Sequence, residues 1–126
     1  MFEQFPKIRK GLPTEYRELY ERYYLINRQG KSNATDIAGK METWMHKVTA
    51  SSYDVSLTET KTLEIGAGTL NHIDFERTSG PYDIADPFKL LYQVSPNLDK
   101  VRKIYNNTGE IPLDVKYNRI LSIAVL

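Results

Sequence analysis

The chain has no cysteine. Disulfides, thiolate nucleophiles and zinc–thiolate sites are therefore excluded, and a reducing compartment is compatible. It has almost no net charge: 17 Lys and Arg against 16 Asp and Glu leave +1. That balance gives no long-range field for nucleic acid or an anionic membrane. No apolar run approaches the ~20 residues of a membrane span. The N-terminus, MFEQFPKIRKG, lacks the apolar core of a signal peptide. Together these absences lead us to expect a cytoplasmic protein with neither a nucleic-acid nor a membrane partner. Internal repeats and low-complexity segments are also lacking. What is present is an ordinary globular composition, 40% hydrophobic and 26% charged over 126 residues, which suits one domain with one core.

Tyrosine is the exception, with nine copies. Tyr16, Tyr20, Tyr23, Tyr24 and Tyr53, near Arg17, Arg22 and Arg28, could form a base-stacking surface. Their spacing gives a plainer account. Pro13-Thr14-Glu15 starts a helix, with Thr14 as cap and Glu15 at the positive end of the dipole. Tyr16, Leu19, Tyr20, Tyr23 and Tyr24 then recur along one face of it, and Gly30 stops it. A second helix begins at Ser32 or Asn33, with Asp36 answering the cap. Its stripe is Ile37, Met41, Trp44, Met45 and Val48, and it fades by Ser51-Ser52. Both stripes are expected to pack into the core. His46, beside the second stripe, reads as a helix-surface histidine.

The pattern changes after Thr60. Thr62 to Ile65 is a short apolar strand, and Tyr82-Asp83-Ile84-Ala85 is another, ending in Asp86-Pro87. Val101 to Tyr105 makes a third strand or a helix turn. Asn118 to Leu126 makes a fourth, apolar enough to be covered on both faces. Strands separated by Gly, Pro, Ser and Asn clusters, with helices among them, predict a parallel α/β sheet.

The stretch TLEIGAGT, Thr62 to Thr69, carries the chemistry. Glycines straight after a buried strand let the chain turn sharply and let a ligand approach backbone N–H groups. Glu64 inside that strand is costly unless satisfied. It either caps neighbouring backbone N–H groups, or orients the loop or a cationic ligand group. Asp86 ends the next strand at the same sheet edge, 20 residues after Gly66. That is the spacing and residue type nucleotide folds use for ribose hydroxyls.

On these residues the chain resembles the class I S-adenosylmethionine-dependent methyltransferases. Thr62 to Thr69 is similar to their first motif, with its acid two residues before the first glycine. YDIADPF, Tyr82 to Phe88, resembles their second strand with its ribose-binding acid. NNTGEIP, Asn106 to Pro112, resembles the loop along the adenine, and YNRILSIAVL, Tyr117 to Leu126, resembles strand four. The resemblance covers about residues 60 to 126, and the N-terminal helices, within residues 1 to 58, are similar to the lid helices that often precede this fold. It implies a partial Rossmann-like sheet, residues 59 to 126, of strand order 3-2-1-4. It implies S-adenosylmethionine as cofactor and methyl transfer as the activity. Gly66, Ala67 and Gly68 would face the methionine part, with Glu64 supporting their loop. Asp86 would hold the ribose hydroxyls, with Pro87 and Phe88 beside the adenine. Asn106 and Asn107 would meet the adenine edge. Ser122, Ile123 and Ala124 would pass the methionine end. No catalytic base and no metal ligand is assigned.

The chain departs from the family's pattern in four places. Leu70 replaces the third glycine. Only about a dozen residues separate Gly68 from the second strand, so the first crossover helix must be very short. Asn118 stands where aspartate is common. The sequence ends with strand four, so strands five to seven of the family's sheet are expected to be missing, with little turnover by this chain alone. Methyl transfer to an already nucleophilic atom needs little beyond alignment. The acceptor stays open among sugar, small-molecule and protein substrates. A nicotinamide dinucleotide-binding fragment is an alternative, weakened by the missing glycine and the short crossover. A non-catalytic binding or dimerisation module is another. An open, apolar fourth strand is a template for another chain, which predicts a homodimer pairing strand four with its symmetry mate, unless the N-terminal helices cover that edge.

Overall fold

The computed structural model describes residues 13–29 and 33–123, with side chains for 13–23 and 37–123. Two helices, α1 (Thr14–Gln29) and α2 (Asn33–Ala50), precede a four-stranded parallel sheet. Its strands are β1 (Thr62–Ile65), β2 (Tyr82–Ala85), β3 (Lys103–Tyr105) and β4 (Arg119–Leu121), in the order β3-β2-β1-β4. This is a partial Rossmann-like arrangement. The first crossover carries only a 3₁₀ helix, Asn71–Phe75, as the short segment requires. A four-residue helix, α3 (Lys89–Tyr92), follows β2. No helix among the described residues is long and apolar enough to cross a membrane.

Parallel register puts paired residues on the same face. Thr62 pairs with Tyr82 and Arg119, and Glu64 with Ile84 and Leu121. Leu63 pairs with Asp83 and Ile120 on the opposite face. Each face has its own core. Ala67, Leu70, Ile73, Tyr82, Ile84 and Tyr92 cluster on the first face, and Leu63, Ala85 and Tyr105 on the second. Full burial of a side chain such as Ile84 contributes about 1.5–3 kcal/mol.

Three expectations are corrected. Neither helix buries its apolar stripe among the described side chains. Tyr16, Leu19, Tyr20 and Tyr23 are exposed on α1, and Ile37, Met41, Trp44 and Val48 on α2. Tyr24 lies outside the described side chains. Among its described side chains α2 buries His46 and Ala50, so His46 is not a surface residue. The cause is the surface beneath it. That surface offers His72, Phe75 and Glu76, and a buried polar group without a partner costs about 1–3 kcal/mol. α2 rolls to bring His46 against His72. The third correction concerns β4, which was expected to be covered on both faces. Its Ile120 is 61% exposed. Residues 124–126 lie outside the described chain.

Candidate functional site

All four strands end at the same edge of the sheet, where the glycine turn sits. β1 delivers the chain into Gly66, φ 74°, and then Gly68, φ 55°. L residues rarely adopt this left-handed region, so the turn itself calls for glycine. Leu70 also has a positive φ, 63°, where the related pattern has a third glycine. Its side chain is fully buried in the first core, and that burial offsets the backbone cost of about 1–2 kcal/mol. Among the described residues, a Cβ at Gly66 would meet nothing within 4 Å. The turn is therefore open at Gly66 to a ligand approaching its backbone.

Asp86 ties the turn to the next strand. Gly68 N–H donates to its Oδ2 at 2.8 Å, and Phe88 N–H to its Oδ1 at 2.7 Å. Its own N–H donates to the carbonyl of Tyr105 at the end of β3, and Gly66 N–H donates to that of Ala85. These bonds lace the ends of β1, β2 and β3 together. Burial pushes the Asp86 carboxyl up from its ordinary value, and the two backbone N–H groups oppose that shift. With 2% of its surface exposed, Asp86 works in this structure as the clamp of the turn. Two of its roughly four lone-pair directions remain unused by the backbone.

Glu64 is satisfied by the Tyr82 hydroxyl, which donates to its Oε2 at 2.7 Å, and not through the backbone capping considered above. Burial raises its carboxyl to about 7, against the lowering effects of that bond and of nearby His72. It does not reach the turn directly; it braces β1 against β2 beneath it.

The other sequence-predicted residues sit near the same edge. Pro87 and Phe88 follow Asp86, and the Phe88 ring is covered by α1. Tyr20 lies 4.8 Å from it and the Arg17 guanidinium 5.7 Å. Asn106 and Asn107 follow β3 and form a self-contained loop. Asn106 N–H donates to Glu110 Oε2, and Asn107 Oδ1 accepts from Gly109 N–H, both at 2.9 Å. Ser122 and Ile123 leave β4, beside a groove bounded by α2. Ala124 lies outside the described residues.

Sequence reasoning missed the polar layer on the first sheet face. Arg119 pairs with Glu76, which His72 approaches at 3.6 Å. Burial alone would raise the Glu76 carboxyl; nearby His72, within ion-pair but not hydrogen-bond distance, and the charge and hydrogen bond of Arg119 outweigh it and hold it at about 2. Position 119 follows Asn118 at the head of an apolar strand, and an arginine there needs a buried acid. That was the available signal.

Comparison with known proteins decides nothing further. No family model, curated protein or solved structure matches this chain. The site must be read from its own geometry. It offers an open glycine turn, clamped by an acid, at the carboxyl ends of strands beside the β1/β4 reversal. Open α/β sheets bind ligands at that position.

Proposed function

We propose that this chain is the S-adenosylmethionine-binding portion of a methyltransferase. The observation that carries the reading is the Gly68-to-Asp86 hydrogen bond, which joins the two motifs of the resemblance into one site. The residues fit the cofactor: the turn exposes backbone at Gly66, and among the described residues nothing beyond its chain neighbours lies within 4 Å of where a Cβ would stand. The bound cofactor would supply a methyl group on a sulfonium centre. Gly66, Ala67 and Gly68 present backbone to its methionine part, with Ser122, Ile123 and Ala124 alongside. The free lone pairs of Asp86 accept the ribose hydroxyls. Pro87 and Phe88 flank the adenine, and Asn106 and Asn107 meet its edge. The acceptor is a sugar, small molecule or protein side chain whose nucleophilic atom the site aligns.

Calorimetry with S-adenosylhomocysteine and with NAD tests the reading. We expect binding of the first only. Asp86→Ala is expected to weaken it by roughly 1–3 kcal/mol, the worth of hydrogen bonds to a charged group. Tighter binding of NAD, or an unchanged affinity in Asp86→Ala, would refute the assignment.

One observation favours a second reading, a module that binds a copy of itself. Trp44, Met45 and Val48 of α2 face Ile120, Leu121 and Ile123 across a groove of about 310 Å³. Among the described strands β4 pairs only with β1, so its outer edge offers N–H and C=O groups for an antiparallel two-fold partner. Sedimentation at micromolar concentration is expected to show a dimer that Ile123→Lys dissociates. A monomeric wild-type chain would remove this reading.

A further inference from the structure

The two described histidines face each other across the junction of α2 and the segment leaving the glycine turn. His46 Nδ1 and His72 Nδ1 are 3.0 Å apart, and both rings are buried. The rings lie 5.3 Å apart at 29°, and His46 also stacks on Phe75 at 5.0 Å and 4°. At that N···N distance one proton, and only one, bridges the two nitrogens. Without it two lone pairs face each other; with two, two N–H groups collide. The outer nitrogens decide which ring donates. His72 Nε2 faces Glu76 at 3.6 Å, and His46 Nε2 faces Glu42 at 3.5 Å. Glu76 is largely buried and held ionised by Arg119, whereas Glu42 is partly exposed and solvated, so a bare lone pair opposite the acid costs more on His72 Nε2 than on His46 Nε2. His72 therefore carries its proton on Nε2 and accepts at Nδ1, and His46 donates from Nδ1.

We infer that His46 and His72 form a one-proton latch fastening α2 to the segment behind the glycine turn, and that protonation of His72 Nδ1 releases it. The pair is neutral with two protons. A third, taken from solvent, goes to His46 Nε2, where Glu42 receives it and the bridge survives. A fourth has only His72 Nδ1 left, and its arrival breaks the N–H···N bond. Charged groups among the described residues bear on this order of protonation. Glu42 comes from α2 itself, Glu76 from the end of the 3₁₀ segment and Arg119 from β4, while Glu64, hydrogen-bonded to Tyr82 in the sheet, has its carboxyl raised to about 7 and is itself neutralised as pH falls. Glu42 and Glu76 favour the third proton. The fourth places two imidazolium rings in contact, so release comes as pH falls.

Amide hydrogen exchange of the full chain between pH 8 and 5 tests the latch, corrected for the intrinsic pH dependence of exchange. Protection of the α2 amides near His46 is expected to fall at least about tenfold, while Leu63 and Ile84, steadied as Glu64 takes up its proton, lose none. Nitrogen NMR of the imidazoles should show His46 protonated at Nδ1 and His72 at Nε2 at pH 8. His46→Phe keeps the stack on Phe75 and removes the proton, so its α2 protection should not change between pH 8 and 5. Glu42→Gln leaves both rings in place and should move release to lower pH. The inference is overturned by α2 protection that is equal at pH 8 and 5 in the wild-type chain. It is also overturned by an unaltered pH dependence in His46→Phe, or by release at the same or higher pH in Glu42→Gln.

Discussion

Ile84 and Ile37 are the same side chain in two regions, and their fates differ completely. Ile84 is 0% exposed in β2, and Ile37 is 67% exposed on α2. Both sit in regular apolar patterns. The difference lies in what fixes each element's orientation. A strand is held by backbone hydrogen bonds to its neighbours, so register dictates which residues face inward. A helix satisfies its backbone internally and is free to roll about its axis. Its roll is set by the surface it meets. Here that surface is polar, and α2 answers with His46. Apolar periodicity therefore places residues of the inner strands, where Ile84 is covered, better than those of the outer strand β4, where Ile120 is exposed, and it places helix residues only where the facing surface is apolar too.

The sharpest way to break this contrast is to truncate its buried end. Ile84→Ala removes a fully buried side chain between strands and leaves a cavity. Urea unfolding is expected to show a loss of about 2–5 kcal/mol. A loss under about 1 kcal/mol would mean that the sheet core relaxes around the gap, and that strand burial in this chain is no more binding than helix burial.

Glu64 sharpens the comparison from inside the sheet. Strand register forces this acid into the core, where burial raises its carboxyl to about 7. An unfolded glutamate titrates near 4.3, so the folded chain holds the extra proton between those values. Its contribution to stability is fully present below the unfolded value and is lost as pH rises through about 7. Glu64→Gln keeps an acceptor for the Tyr82 hydroxyl and removes the titration. Its advantage over the wild type is expected to grow from near zero at pH 4 to roughly 3 kcal/mol at pH 8. Parallel stability curves for the two proteins across that range would contradict the shift.

The same distinction explains what was legible in the sequence. The parallel sheet could be read from short apolar runs set between turn residues and helices, and its strand order followed from the resemblance rather than from the pattern itself. The placing of Asp86 beside the glycine turn could also be read. Its role as a clamp on Gly68 N–H could not, because a side chain's choice between backbone and ligand depends on distances of a few tenths of an ångström. His72 was invisible for a related reason. Nothing in Asn71-His72-Ile73 marks it until α2 brings His46 to it across 26 positions. Arg119 sits in an apolar run, and only the fold supplies Glu76 as its partner. Pairwise polar contacts between distant segments decided the roll of α2, and they are what one-dimensional patterns carry least.

The smallest effect belongs to the exposed end of the contrast. Trp44 is 64% exposed on α2 and lines the groove beside β4. Trp44→Ser removes little that folding of one chain buries, so in dilute protein its unfolding free energy should stay within about 0.5 kcal/mol of wild type. The pairing reading adds a second expectation. A surface covered only in a dimer stabilises by mass action, so wild-type stability should rise with protein concentration. Trp44→Ser should flatten that rise while leaving the dilute limit alone. Unfolding measured over a hundredfold range of concentration separates the possibilities. A large loss at every concentration would place Trp44 in the monomer's own core and reverse the roll of α2. A concentration dependence that survives the substitution would assign the partner surface to another part of the chain.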